Sequence, residues 1–441
     1  MKRLFTSFTF LFILIAFSTQ AQWSTQWLGY TTAASVKQIS IVDNTTAWMV
    51  PSDASNPLIP WKIVSKTTNS GSTWQQSTIP ANSSWFTGAI FGLNSMKAWV
   101  CMQNPADTGG KIYVTSNGGS SWASQDSAIF HVNPKIIYFW DADSGVCIGN
   151  PYNEHFEIYT TKDGGADWNS VDASDMPGAN NSNQTFANSF WTKGDTMWFG
   201  GYTEGRIFVS HDRGYHWSFI PLPVNNVPFV FFRDTVGIAG NNDFINNDNE
   251  FYKTTDNGKH WTKVACDGLT ACYSLTYVPG TPGTLVSVGT TMMVSNDWGE
   301  SWNFLEEPLT NPSFVYSAVS FYNLTTGWAG GENLGNPSAG GIYKYNGSPL
   351  NLSSHPEITD IPELFPNPAN GFVTIAFNSP RSQITSIDFS DITGRLVFHS
   401  ELQSEPGSFQ KNIDISMLQA GIYMARLQLG NKQFVKKLIV K

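Results

Sequence analysis

Short runs of alternating apolar and polar residues fill this chain, and turn residues separate them. Ile158-Tyr159-Thr160 alternates in this way, stops at the octapeptide TKDGGADW (161–168), and gives way to a new strand at Trp168. Alternation on both sides of a short polar stretch predicts two strands joined by a tight turn. Asp163 can accept hydrogen bonds from backbone N–H groups two residues on. Gly165 can take the positive φ that closes such a turn. Trp168 offers a large apolar surface that pins the turn to its sheet.

The same pattern, Ser/Thr-x-Asp/Asn-x-Gly-x-x-Trp, occurs six times. The copies carry Asn69 and Trp74, Asn117 and Trp122, Asp163 and Trp168, Asp212 and Trp217, Asp256 and Trp261, and Asp297 and Trp302. Their tryptophans lie 41 to 49 residues apart, the length of four short strands, which predicts the blades of a β-propeller. Between the boxes runs a second repeat, a strand, a polar turn and a strand, at 36–50, 87–102, 134–149, 187–201, 227–240, 273–289 and 316–331. It has seven copies against six boxes. The seventh is followed by a strand at 341–346 with no Trp strand after it. Residues 22–27, QWSTQW, look like the strands that follow the boxes. The N-terminus is therefore expected to supply the outer strand of blade seven and to close the ring, removing exposed sheet edges. These octapeptides resemble the Asp-box (BNR) repeats of sialidases, sortilin-type receptors, xyloglucanases and photosystem II assembly-factor-like propellers. The resemblance covers about residues 23–346 and implies that each box joins the third and fourth strands of its blade.

The box period stops at residue 346. Residues 347–362, rich in Pro, Ser and other polar residues, read as a linker. Beyond it, alternating strands at 373–378, 384–388, 396–401, 409–415, 421–429 and 433–440 predict a small Ig-like β-sandwich over 363–441. Phe365-Pro-Asn-Pro-Ala369, Asp391-Ile-Thr-Gly-Arg-Leu-Val397, Gly421-Ile-Tyr-Met-Ala-Arg-Leu427 and the terminal Lys436-Lys-Leu-Ile-Val-Lys441 together resemble the type A C-terminal sorting domain of the type IX secretion system. That resemblance implies a Bacteroidota-type bacterium, recognition by the secretion machinery, and delivery through the periplasm to the outer-membrane surface or the medium.

Composition fits this reading. Aromatics make up 14% of the chain, with 17 Trp, and charged residues only 13%, as suits an aromatic-rich, turn-rich all-β protein. Residues 1–21 read as a signal peptide: Lys2 and Arg3, an apolar core at 4–17, and small residues at 19–21. The apolar run is short for a bilayer span, so a chain that does not cross the membrane is expected. The net charge of −9 argues against nucleic acid as a partner. Of four cysteines, Cys266 and Cys272 flank a short loop and form a candidate disulfide. Cys101 and Cys147 occupy matching positions in consecutive repeats and read as buried thiols.

In a four-stranded blade the boxes share one end of the ring with the turns between strands one and two. The loops between strands two and three share the other end with the inter-blade connections. The box residues are thus expected to build turns, and ligands are expected at the loop end. Segments 51–60, 103–110, 150–156, 202–206, 241–250, 332–340 and the long connection 173–184 lie there. The candidate ligand-facing residues are Trp61, Tyr152, Glu154, His155, Tyr202, Glu204, Arg206 and Glu332. A sialidase needs several arginines converging on one carboxylate. The propeller has only Arg206, Arg213 and Arg233, with Arg213 inside a box. A glycosidase needs two facing carboxylates, which the glutamates above supply without any local signature. Asp243, Asp248 and Glu250 offer weak calcium ligation. No other metal and no cofactor is implied. The expected function is binding of a glycan or protein by an exported propeller, with a glycoside hydrolase as the alternative.

Overall fold

The computed structural model describes residues 22–26, 28–30, 34–54, 59–243, 248–270, 272–306, 314–333, 341–347, 350, 362–379, 383–404, 407–429 and 432–441. The leader, Trp27 and most of the linker lie outside them. The chain divides into two compact units, Met1–Asn351 and Leu352–Lys441.

The first unit is a propeller of seven four-stranded antiparallel sheets. Blades one to six span 34–78, 86–125, 134–170, 190–221, 229–263 and 274–306. Blade seven combines 314–345 with Trp23–Gln26. Sequence patterning explains which strands lie inside. Every residue of Ala98–Gln103 is buried, whereas the fourth strands Gln75–Thr78 and Asn169–Ser170 are largely exposed. Neighbouring blades cover both faces of an inner strand, so it reads as a continuous apolar run, while an outer strand meets water.

All six box turns share one geometry. The Thr161 hydroxyl donates to Asp163 Oδ1 (2.8 Å), Gly165 N–H donates to Thr161 Oγ1 (2.9 Å), and Asp167 N–H donates to Asp163 Oδ1 (3.0 Å). The same three bonds form around Asn69, Asn117, Asp212, Asp256 and Asp297. The Asp or Asn side-chain oxygen thus accepts from the N–H four residues on, and at Asp163 the Gly165 and Ala166 N–H groups add to it. The turn takes two consecutive residues in the left-handed region, Gly164 (φ 72°) and Gly165 (φ 88°), which lengthens the reach. Asp167 N–H foremost, followed by neighbouring donors, holds the Asp163 carboxyl below its usual range. Trp122, Trp168, Trp217 and Trp302 are buried, while Trp74 and Trp261 are only partly so.

The ring closes through the N-terminus. Trp23, Ser24, Thr25 and Gln26 pair antiparallel with Tyr345, Lys344, Tyr343 and Ile342. Trp23 meets Phe321 and Tyr345 edge-on, at 5.9 and 5.2 Å between ring centres. Gln26 then ties blade seven to blade one, accepting from Trp328 Nε1 (3.1 Å) and donating to the Ser70 carbonyl (2.9 Å). Leu350, which the sequence assigns to the linker, is buried in this blade with Trp23, Phe321 and Tyr345. Its N–H donates to the Leu324 carbonyl (3.1 Å), so the propeller runs past residue 346.

The expected disulfide does not form: Cys266 and Cys272 are both buried thiols. Cys266 opens a turn closed by Leu269 N–H (3.0 Å), and both side chains serve as apolar filling beside Leu269, Leu275 and Trp302. Cys101 and Cys147 are also buried and free, with sulfurs 3.6 Å apart between blades two and three.

The second unit holds seven strands in two sheets that share Glu363–Asn370. One sheet continues through Phe372–Ser379 and Gly407–Asp414. The other continues through Lys432–Val440, Gly421–Leu429, Gln383–Ser390 and Leu396–Ser404. Ile375, Phe389, Ile387, Leu427 and Leu438 form its core. The shared strand carries Pro366 and Pro368, and prolines conceal a strand from sequence patterning because they lack the ladder N–H. Asp391 folds the DITGR turn, accepting from Thr393 N–H (2.9 Å) and Arg395 N–H (3.1 Å). Those donors, with the Thr393 hydroxyl foremost, pull its carboxyl down to about 2.

Candidate functional site

The connection between blades three and four builds a cleft at the loop end. Residues 177–183 run between two hairpin loops, that of blade three at Tyr152–His155 and that of blade four at 202–206. Both loops hold the connection by hydrogen bonds. Ala179 N–H donates to the Glu154 carbonyl (2.6 Å), and Glu154 N–H donates to Asn181 Oδ1 (2.8 Å). From blade four, Arg206 donates to the Gly178 carbonyl (3.0 Å). The result is a cavity of about 660 Å³ lined by Glu154, Asn180, Asn181, Glu204, Arg206 and Phe219, among others.

Glu204 is engaged on both oxygens. Oε1 accepts from Asn180 N–H (2.9 Å), Oε2 from Asn183 Nδ2 (3.3 Å), and the Arg206 guanidinium lies 3.5 Å away. Arg206 also lies over the Phe219 ring, 4.6 Å from its centre. A carboxylate so occupied orients a loop and presents a fixed negative edge. These contacts fix the orientation of the carboxylate and leave part of its acceptor capacity open. Glu154 is exposed, at the tip of its hairpin in the left-handed region (φ 65°). The cleft can therefore offer fixed amides, a guanidinium and an aromatic face, the kit of a polar binding surface.

The other candidates are scattered. Tyr152 stacks on His131 with ring centres 4.4 Å apart. His155 Nδ1 contacts the carbonyl of Asn153 (3.0 Å). Trp61 packs beside Tyr30 in the core of blade one. Tyr202 turns toward the central channel, edge-on to Phe186 at 4.5 Å. The side chains of Glu332, Asp243 and Asp248 lie outside the described residues, and Glu250 pairs with Lys263 (3.7 Å). Among the described residues no group of three or more metal-ligating side chains assembles. The three arginines do not converge. Arg213 pairs with Asp141 and Asp195 beside its box, Arg233 donates to the Thr281 carbonyl, and only Arg206 reaches the cleft. The sequence does not single out Asn180, Asn181 and Asn183. Their one signal was the unusual length of the connection that carries them.

Residues 363–441 match the family described as the secretion system C-terminal sorting domain. The chain therefore ends in a sorting domain of the type IX kind, which implies export to the cell surface or secretion. No helix among the described residues is long and apolar enough to cross a membrane. No curated protein sequence matches the chain. Among solved structures, YCF48 bound to D1 peptide superposes with a TM-score of 0.55 at 16% identity, covering 74% of this chain and 97% of that one. YCF48 from Cyanidioschyzon merolae gives 0.52 at 12% identity, covering 74% and 99%. An ancestral GH74 enzyme gives 0.49 at 13% identity, covering 94% and 64%. At these identities the likeness to YCF48 speaks for the propeller fold alone.

Proposed function

We propose that this chain is an exported binding propeller that grips a glycan or protein ligand at its loop end, and that its C-terminal domain is the export signal. The observation that carries the reading is Glu204. Its two oxygens accept from Asn180 and Asn183 and lie beside Arg206, which supports a carboxylate that positions a loop rather than one of a reacting pair. What remains is a rigid polar surface with one guanidinium and one ring face, suited to recognition. The YCF48 propeller holds a D1 peptide, so a protein ligand is within the reach of this fold.

A glycan array and a polysaccharide-hydrolysis screen of the purified full chain test the proposal. Binding without hydrolysis, weakened by Arg206→Ala, is the expected result. Hydrolysis that disappears in Glu154→Gln and Glu204→Gln would transfer the chain to the glycoside hydrolases.

A further inference from the structure

The central channel opens at the loop end into a second cavity, of about 440 Å³, to which all seven blades contribute. Two of its lining residues are lysines, Lys37 from the first strand of blade one and Lys135 from the first strand of blade three. Both are partly buried, and neither has an ion-pair partner among the described residues. Among the described residues no aspartate or glutamate lines the cavity. The Lys37 ammonium has one weak acceptor, the Thr87 carbonyl at 3.4 Å, and lies 4.3 Å from the centre of the Phe86 ring. Burial, reinforced by the nearby Lys135 charge, pulls Lys37 down to about 8, and burial lowers Lys135 despite the proximity of Asp107. Asp107 is itself occupied by Asn133 N–H and Asn150 Nδ2.

Two neighbouring cations in a hollow, with only the already engaged Asp107 carboxylate near one of them, are costly unless an anion joins them. The rest of the lining indicates what carries the anion. Ser35, bonded to Ser317, and Ser52 and Ser189 contribute hydroxyl-bearing residues to the lining, and Phe186, Tyr202 and Phe229 contribute aromatic ones. Hydroxyls beside ring faces match the polar edge and apolar face of a sugar ring. The opposite cavity of the channel, lined by Ile39, Ile41, Ile137 and Leu275, contains no charged side chain. The charge is therefore placed at one end only, the end reached by the hairpin loops.

We propose that this channel mouth is a binding site for an anionic saccharide, whose carboxylate or sulfate sits between Lys37 and Lys135 while its ring lies against the aromatic wall. The site is separate from the cleft at Glu204, so its failure leaves the cleft reading untouched.

The test is calorimetric titration of the full chain with trigalacturonate, with a sulfated galactan trisaccharide, and with the neutral methyl ester of the first. Binding of one or both acidic sugars is expected, with at least tenfold loss in Lys37→Met and in Lys135→Met and no binding of the ester. The sugar preferred identifies carboxylate or sulfate as the natural group. Arg206→Ala, in the cleft, is expected to leave this binding unchanged. Melting curves of the variants verify folding, and Lys37→Arg, which keeps the charge, is expected to retain binding. No binding of either acidic sugar, equal binding of the ester, binding insensitive to both lysines, or binding of poly-glutamate in their place would overturn the proposal.

Discussion

Gln38 of blade one reaches across the central channel to Ala187, just ahead of blade four, and donates from Nε2 to its carbonyl at 3.0 Å. The Gln38 Oε1 accepts from Ile90 N–H of blade two at 2.7 Å. One side chain, 6% exposed, thus links blades one and two to the connection ahead of blade four, where the lysine-lined mouth meets the uncharged end of the channel. Gln38→Ala would leave a buried N–H and a buried C=O without partners. The expected loss is about 2–4 kcal/mol. Denaturant melts measure it, and a loss below about 0.5 kcal/mol would mean that water replaces the bridge without penalty.

Ring closure rests on the pairing of Trp23 with Tyr345. Removing residues 22–26 would strip the outer strand from blade seven, expose Phe321 and leave Ile342–Tyr345 as a bare edge. A lower melting temperature and concentration-dependent association are expected. Scanning calorimetry and light scattering report both, and an unchanged melt would show that the ring holds without its closing strand.

Trp168 is 5% exposed, donates from Nε1 to Gln125 Oε1 (3.0 Å) and meets Phe139 edge-on at 5.7 Å. Trp168→Ala is expected to cost about 3–5 kcal/mol as a cavity in a packed blade. Ligand binding at a temperature where the variant remains folded should persist, because the boxes lie at the end opposite the cleft. Loss of binding with unchanged melting would move the site to the boxes.

Lys37 gives a pH signature. Its ammonium belongs near 10.5 in the unfolded chain and near 8 in the fold. Between those values the unfolded state binds more protons, so stability rises with pH across the window. Below about 8 the full cost of burying the charge beside Lys135 is present. Lys37→Met is expected to stabilise the protein at pH 7 by about 1–3 kcal/mol. The gain should fade from pH 8 to 10.5. Chemical denaturation at pH 7 and pH 10 distinguishes this from a lysine that contributes by packing, for which the substitution would destabilise at both.

Export by the C-terminal domain calls for a truncation after Asn351, because Leu350 belongs to the core of blade seven. The truncated propeller is expected to melt like the full chain but to stay in the periplasm of its native host. Cell fractionation decides the second point, and surface delivery of the truncated form would remove the sorting role. Deleting only Lys436–Lys441 is a poorer test, since it also removes buried Leu438 and Val440 from the small core.

The sequence by itself determined the repeat, the seven blades, closure by the N-terminus and the sorting tail. Each of these is written in local pattern. A turn motif recurs at blade length because every blade solves the same packing problem, and Trp23–Gln26 resembles an outer strand because it is one. What only the tertiary structure decided is which distant residues meet. Glu204 and Arg206 read as free loop charges until Asn180 and Asn183 were seen to occupy the carboxylate. Lys37 and Lys135 lie nearly a hundred residues apart, on inner strands that sequence alone assigns to the core. Only the circular arrangement of blades brings both ammonium groups to one hollow. Cys266 and Cys272 show the same limit from the other side, since closeness in sequence promised a bond and the packing of blade six used them as two apolar side chains. Local spacing records the backbone path of a blade. Charge and contact between blades depend on ring closure, which no single stretch of sequence contains.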